Sequence, residues 1–173
     1  MEIKLTKPIK AHGEQVSVLA LREPTGGEVR NVGALPYDVH GDAGNMIPQA
    51  RVALKYAAIC AGVPPSSLDQ LSAVDSLVVV NTVVGMFTGT EKPSVNLREP
   101  SGREVRMIGA LPFFVALDGI SVSMNTTVAM RYIATLGDMT DEQVDALLVA
   151  DLTALCWDVT RFFSGVGSRP STS

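Results

Sequence analysis

An internal repeat constrains the fold of this chain more than any other feature of its sequence. Residues 21–37 read LREPTGGEVRNVGALPY and residues 97–113 read LREPSGREVRMIGALPF, so 12 of 17 positions are identical at an offset of 97 − 21 = 76. The offset continues without a gap, and it pairs Phe87 with Phe163. A repeat of this length predicts two homologous structural units in tandem.

The repeat also sets the expected domain boundaries. We expect unit one to span residues 1–89, unit two to span residues 90–165, and residues 166–173 to form a flexible tail rich in Gly, Ser and Pro. Unit one opens with strand-like runs around a turn at residues 12–13, which predicts a β-hairpin. Unit two keeps only a short strand-like segment, so it has either lost this hairpin or shares a sheet with unit one.

Each unit then carries a capping box, in which a hydroxyl and a carboxylate satisfy free backbone amides at the start of a helix. The two boxes are Thr25 with Glu28 and Ser101 with Glu104. They predict short helices over residues 26–34 and 102–110. We expect Pro36 and Pro112 to end these helices, because proline cannot continue the hydrogen-bond ladder.

Apolar spacing predicts most of the remaining structure. A Gly-rich stretch over residues 38–45 is expected to be flexible. Further helices are predicted over residues 48–61, 66–71, 126–136 and 141–148. The final element of unit one is rich in valine and resembles a strand. Its equivalent in unit two has the spacing of a helix face, so we predict closing helices in both units, capped by Asp75 and Asp151.

The fold class that follows is α+β, mainly α. It consists of two tandem units, each with a short β segment and about four helices.

The residues that usually carry chemistry are sparse. The chain has no CxxC, HExxH, GxSxG or phosphate-loop motif. Its two histidines, His12 and His40, both lie in unit one, so the units cannot share a histidine-based site. Cys60 and Cys156 are not repeat equivalents, and each is expected to be a buried apolar residue. These features predict a protein without enzymatic activity and without a cofactor.

One acidic cluster could hold a metal ion. Its members are Asp138, Asp141, Glu142 and Asp145. Acidic residues in the first turn of a helix are also stabilised by the free amides and the helix dipole. Most of the cluster is absent from unit one, so we interpret it as structural and predict no metal site.

The overall charge limits the classes of partner. The net charge is −4 and the sequence pI is about 5.1, whereas a nucleic-acid-binding protein needs a cationic surface. No apolar stretch approaches the roughly 20 residues that span a bilayer. We therefore expect neither nucleic acid nor membrane as a partner. The two unpaired cysteines suit a reducing cytoplasm.

Seven residues are candidates for contact with a protein partner, namely Arg22, Glu23, Tyr37, Arg98, Glu99, Phe113 and Phe114. The Arg-Glu pairs either fix the turn into the helix through local bonds or contact a partner. The apolar run over residues 107–115 is the best candidate surface, with burial between the units as the alternative. Arg30 and Arg106 are expected to be solvated, because each follows its capping glutamate by only two residues.

Two segments of unit one resemble the tail assembly chaperone family of tailed phages. The first is L-x-L-R-E-P-T at residues 19–25, and the second is L-D-x-L-x-x-x-D at residues 68–75. With the strand-like opening and the Gly-Val-Pro at residues 62–64, they cover nearly all of unit one. Unit two matches more weakly, through residues 97–100 and three later positions, Asp145, Leu147 and Asp151.

This resemblance implies a protein that helps to build the tail and is usually absent from the finished particle. Family members bind the tape measure protein, a long helical chain that aggregates, and hold it soluble until tail tube subunits polymerise around it. The implied partners are the tape measure protein and, as a further candidate, the tail tube protein, in the host cytoplasm. The alternative is a structural component of the tail or baseplate that stays in the virion.

The duplication departs from the family pattern, because most members carry one unit. It leaves stoichiometry open and makes self-association a further expectation.

Overall fold

The computed structural model describes residues 1–41, 44–88, 93 and 95–164, without the side chain of Ser164. The expected boundary between the units, at residues 89–90, and the expected tail, residues 166–173, lie outside this part of the chain. Within it, eight helices and two small sheets form an α+β structure that is mainly helical. The predicted fold class is confirmed.

From the capping-box helix onward, the two units have the same order of elements. Unit one contains β1 (Glu2–Ala11), β2 (Glu14–Ala20), α1 (Gly26–Val32), β3 (Tyr37–His40), β4 (Asn45–Pro48), α2 (Ala50–Ala61), α3 (Pro65–Leu68) and α4 (Ala73–Met86). Unit two contains α5 (Gly102–Ile108), β5 (Phe113–Val115), β6 (Ser121–Met124), α6 (Thr126–Leu136), α7 (Asp141–Asp145) and α8 (Val149–Ser164).

The predicted N-terminal hairpin is present as a two-stranded antiparallel sheet of β1 and β2. His12 and Gly13 turn the chain with positive φ angles of 52° and 88°, the geometry that matches the twist of a tight hairpin. Residues 95–97 of unit two form no strand. Unit two does share a sheet with unit one, but through a different pair of hairpins.

That second sheet was not expected. Residues 38–45 are predicted to be flexible, but residues 38–40 and 45 lie in the paired strands β3 and β4, with His40 opposite Asn45, so the prediction is wrong there. Residues 42 and 43 lie outside the described part of the chain. Strands of four residues are too short to show a clear alternation of apolar and polar side chains. The sheet continues into unit two in the order β4-β3-β6-β5, so two of its four strands come from a distant part of the chain.

The capping-box helices end earlier than predicted. Pro36 and Pro112 do not stop them; Gly33 and Gly109 do, with φ angles of 81° and 75°. Each glycine adopts the left-handed conformation and donates its amide to the carbonyl four residues before it, which closes the last turn.

The closing elements of both units are helices, as the repeat predicted. The predicted caps are wrong. Ser72 caps α4, and Asp151 lies inside the first turn of α8. The Asp75 carboxylate instead accepts hydrogen bonds from the backbone amide and hydroxyl of Thr6. It therefore ties the N-terminal hairpin to α4.

Equivalent aromatic pairs anchor the core of each unit. The rings of Tyr56 and Phe87 lie 4.8 Å apart, and those of Tyr132 and Phe163 lie 5.2 Å apart. Each tyrosine hydroxyl also donates to a carbonyl just after the capping-box helix, from Tyr56 to Ala34 and from Tyr132 to Ala110. Among the described helices, none combines the length and the apolar character needed to cross a bilayer.

Candidate partner-binding surfaces

The two units meet along a seam that begins with strand pairing. β3 of unit one pairs antiparallel with β6 of unit two, with Val39 opposite Val122 and His40 opposite Ser121. Beside the sheet, Ala34 forms an isolated bridge with Asn125. The seam is therefore built on backbone hydrogen bonds, which fix its register.

The C-terminal end of α1 lies against the N-terminal end of α6. The Thr126 hydroxyl donates to the Val29 carbonyl at 3.0 Å, and the Thr127 hydroxyl donates to the Arg30 carbonyl at 2.9 Å. The Thr126 amide donates to the Gly33 carbonyl. The Val29 carbonyl thus accepts a second hydrogen bond beside that from the Gly33 amide, and the Arg30 carbonyl, in the last turn of α1, gains a partner that the helix itself does not supply.

An ion pair extends the seam to α7. Arg30 was expected to be solvated, and this is wrong. Its guanidinium lies 2.8 Å from the Asp145 carboxylate and 3.1 Å from that of Asp141. Two members of the acidic cluster thus bind an arginine of the other unit. The sequence could not show this pairing, because more than 110 positions separate the partners.

Tyr37, one of the candidate partner residues, lies on the inner side of the seam. Its ring stacks on that of Trp157 with centroids 6.4 Å apart, and Trp157 Nε1 donates to the Tyr37 hydroxyl at 3.1 Å. Both side chains are buried, and burial raises the pKa of Tyr37 to about 12. This pair couples β3 of unit one to α8 of unit two.

A cluster of Ser121, His40 and Asp118 at the seam contains the residue types of a nucleophilic site. The Ser121 hydroxyl donates to the Asp118 carboxylate at 2.5 Å, and His40 Nδ1 lies 2.7 Å from the same hydroxyl oxygen. The serine hydroxyl thus donates its proton to the carboxylate. A nucleophilic serine would instead donate this proton to the histidine, which acts as the base. This hydrogen bond also lowers the pKa of Asp118 to about 2. The arrangement locks the β5–β6 turn onto β3.

The candidate residues Arg22 and Arg98 occupy equivalent local bridges. Each guanidinium makes two hydrogen bonds to its capping-box glutamate, with Arg22 on Glu28 and Arg98 on Glu104. The neighbouring Glu23 and Glu99 supply their backbone carbonyls to the arginines and leave their side chains exposed. The arginines therefore hold the extended segment at the start of each helix. A partner contact by these four residues stays a prediction.

We expect acid to weaken both bridges. Hydrogen bonds from the arginines are the main cause that lowers the pKa of Glu28 and of Glu104 from 4.5 to about 2. A lowered pKa stabilises the fold above pH 4.5, and the effect is lost as pH falls toward 2. The half-exposed Glu28 bridge contributes about 1 kcal/mol after solvent screening.

The test is the double variant Glu28→Gln/Glu104→Gln. Urea unfolding at pH 7 and pH 3 should show a smaller loss of stability on acidification in the variant than in the wild type. Equal losses would contradict the assignment. Glu14→Gln, an exposed change on β2, is the matched control.

Two apolar side chains project from the outer face of the four-stranded sheet. Phe114 on β5 is exposed and pairs with Ser123, while Ile47 on the opposite edge strand is also exposed and pairs with Asp38. The inner face holds Tyr37, which is buried. Of the two adjacent aromatics in the predicted surface, Phe114 faces outward and Phe113 is partly buried.

Further exposed apolar residues lie near Phe114 in the sequence. They belong to α5, β5 and the segments beside them, and they are Met107, Leu111, Val115, Leu117 and Ile120. Exposed apolar residues in such number are typical of a protein-protein contact. Val115 follows Phe114 on β5 and pairs with Val122, so it lies on the other face of the sheet. Much of the predicted apolar run is therefore exposed at the surface of the chain.

The two thiols are buried. Cys60 and Cys156 are both free and buried, as predicted. Burial raises the pKa of Cys60 to about 11 and that of Cys156 to about 12, so both stay protonated at neutral pH. Within the described part of the chain, no three His, Cys, Asp or Glu residues are placed to hold a metal ion.

Comparison with known proteins gives one family. A family model described as phage tail assembly chaperone proteins, E, or 41 or 14, matches the chain twice, over residues 2–88 and 85–164. The two matches are consistent with a tandem duplication. No curated protein and no solved structure is significantly similar to the chain.

Proposed function

The chain belongs to the family of phage tail assembly chaperone proteins, and from this premise we propose that it binds the tape measure protein of its phage. In this role it keeps that long helical client soluble and promotes assembly of the tail tube around it. The double family match supports a role in tail assembly for the tandem as a whole.

The observation that carries the proposal is the outer face of the four-stranded sheet. Phe114 and Ile47 stand exposed there on opposite edge strands. A helix with an apolar face docks on an apolar surface through side chains spaced along its axis. The large aromatic side chain of Phe114 is the anchor we assign to this contact, since aromatic residues dominate protein interfaces.

The client contact should be reversible, since tail tube subunits must later replace the chaperone. An exposed surface with few large side chains suits this requirement, because affinity depends on buried anchors more than on area.

We expect co-expression to show the function directly. The tape measure protein of the same phage should be soluble and co-purify with the wild-type chain, and should precipitate without it. Phe114→Ser should reduce the recovered client by roughly tenfold, as expected for the loss of a hot spot. Phe162→Ser is the matched control, because Phe162 is an exposed phenylalanine on α8, outside the sheet.

A client that is equally soluble with and without this chain would contradict the chaperone role. Mass spectrometry of purified particles then tests the alternative. A structural component of the tail or baseplate would be retained in the virion in a fixed ratio to the tail proteins.

A further inference from the structure

The seam between the units joins two different surfaces. At the repeat offset of 76, β5 is the equivalent of β3 and β6 is the equivalent of β4. Because β6 is the equivalent of β4, the pairing of β3 with β6 joins two different strand edges of the repeat unit. A head-to-tail contact of this kind leaves one copy of each surface unused, whereas a two-fold contact would use the same surface twice.

The unused strand edges lie at the two ends of the sheet. In the order β4-β3-β6-β5, the outer edges of β4 and β5 have no strand partner among the described residues. The β4 edge is the equivalent of the β6 edge that β3 occupies. The β5 edge is the equivalent of the β3 edge that β6 occupies. The chain thus ends in two complementary edges.

Burial differs between equivalent positions as this arrangement requires. Leu35 and Val39 of unit one are 2% and 9% exposed, whereas their equivalents Leu111 and Val115 are 48% and 53% exposed. Each pair keeps an identical residue. Unit two therefore presents apolar side chains at positions that are covered in unit one.

The reverse holds on the closing helices. Thr153, Ala154 and Trp157 of α8 are buried, and Trp157 meets unit one through Tyr37. Their equivalents on α4 are all exposed, namely Leu77, Val78 and Asn81. Val74 is also exposed, and its spacing from Leu77 and Val78 places all three on one helix face, which makes an apolar patch. Unit one thus carries an uncovered apolar face where unit two is covered.

Charge is complementary between the same two faces. Arg30 binds Asp145 across the seam, and the equivalents of these residues are Arg106 and Asp69. Both are exposed, and neither makes an ion pair with any described residue. Arg103, which replaces a glycine of unit one, adds a second cation beside Arg106.

We propose that a second copy of this chain docks head to tail on these faces. The edge of β5 and the helix α5 of one copy lie against β4 and the helices α2 to α4 of the next. The register of the seam then places Val115 opposite Met46 and Arg106 beside Asp69 of the neighbouring copy. The sheet continues from chain to chain, and each added copy leaves a free end for the next.

The contact between copies is weaker than the seam within a chain. Ala50, Arg51 and Asn81 stand at the positions of Thr126, Thr127 and Trp157. Both hydroxyl donors and the buried aromatic ring of the seam are therefore missing. Arg106 with Asp69 and the apolar side chains remain. The assembly is therefore reversible and depends on protein concentration.

This assembly is independent of the client and is tested without it. Sedimentation velocity and light scattering of the purified chain should give a mass above 18.3 kDa that rises with concentration. Val115→Arg blocks the β5 end, and Leu77→Arg blocks the α4 end. Each side chain is exposed in the single chain, so both variants should fold, and each should remain at the mass of one chain.

Mixing the two blocked variants gives the sharpest result. Each retains one intact end, and the intact ends are complementary, so the mixture should form a dimer and nothing larger. A two-fold contact would instead let one variant associate with itself. Either self-association of a blocked variant or a mixture that stays at the mass of one chain would overturn the proposal.

Charge exchange provides a second readout. Arg106→Asp and Asp69→Arg should each reduce association, and the two changes in one chain should restore it. Lys4→Asp on the N-terminal hairpin is the control for a charge reversal outside both faces. A wild-type chain that keeps the mass of one chain at every concentration would contradict the proposal. It would still be contradicted if Leu77→Arg impaired client binding, because the contact between copies would then be absent.

Discussion

Gly26→Ala should lower the free energy of unfolding by about 2 kcal/mol, the cost of forcing extra volume into a packed contact. A Cβ atom at Gly26 would lie 2.7 Å from both Cα and the carbonyl oxygen of Asp145. These atoms belong to the backbone of α7, so they cannot move aside as the end of a flexible side chain could. The α1–α7 contact must open, and the ion pair from Arg30 to Asp145 should weaken with it.

The repeat supplies the control for this prediction. Gly102 is the equivalent residue of α5, and a Cβ atom there meets nothing within 4 Å. Gly102→Ala should therefore stabilise the single chain by about 0.5 kcal/mol through the lower entropy of the unfolded state. Urea unfolding of both variants, followed by circular dichroism at low protein concentration, measures the difference. Equal effects at the two positions would show that the seam does not depend on close packing at Gly26.

Local signals made much of each unit predictable. The capping boxes of Thr25 with Glu28 and of Ser101 with Glu104 form as their spacing indicates, because hydroxyl, carboxylate and backbone amide lie within one helical turn. The repeat also resolved an ambiguity that no local signal could. The valine-rich segment of α4 resembles a strand by composition, and only its equivalent in α8 identifies it as a helix.

The interactions between the units were not predictable in this way. β3 and β4 are short, and β3 is stabilised on its second edge by β6 from another part of the chain. Arg30 has no charged neighbour at helical spacing in its own unit that would predict an ion pair, and its partners lie on α7. Such contacts depend on how two units dock, and that arrangement leaves no periodic pattern in either segment.

The candidate partner-binding surfaces were only partly predictable from the sequence. The apolar run around Phe113 and Phe114 was singled out because two adjacent aromatics rarely face one core. The exposed face of α4 was missed, since valine and leucine at helical spacing normally indicate a buried face. This face is identified by comparing the exposure of equivalent side chains, since Leu77 of unit one is exposed and its equivalent Thr153 of unit two is buried.

Trp157→Ala is expected to cost about 3 to 5 kcal/mol of unfolding free energy, as for other large aromatic residues removed from a core. Trp157 is the only tryptophan of the chain and is buried at the seam. Its loss removes the stacking on Tyr37 and leaves the buried Tyr37 hydroxyl without its donor. The cost should exceed that of Trp157→Phe, which keeps a ring and loses mainly the hydrogen bond, worth about 1 kcal/mol.

The equivalent position in unit one separates a seam effect from a general helix effect. Asn81 on α4 is exposed, so Asn81→Ala should change stability by less than about 0.5 kcal/mol. Tyr37→Phe should resemble Trp157→Phe, because each removes one side of the same hydrogen bond, and the double variant should cost less than the sum of the two. Thermal and urea unfolding followed by circular dichroism, which does not rely on tryptophan emission, provide the values. Additive costs at Tyr37 and Trp157 would mean that the two residues stabilise their own units separately and that the seam is held by the sheet and the Arg30 ion pairs alone.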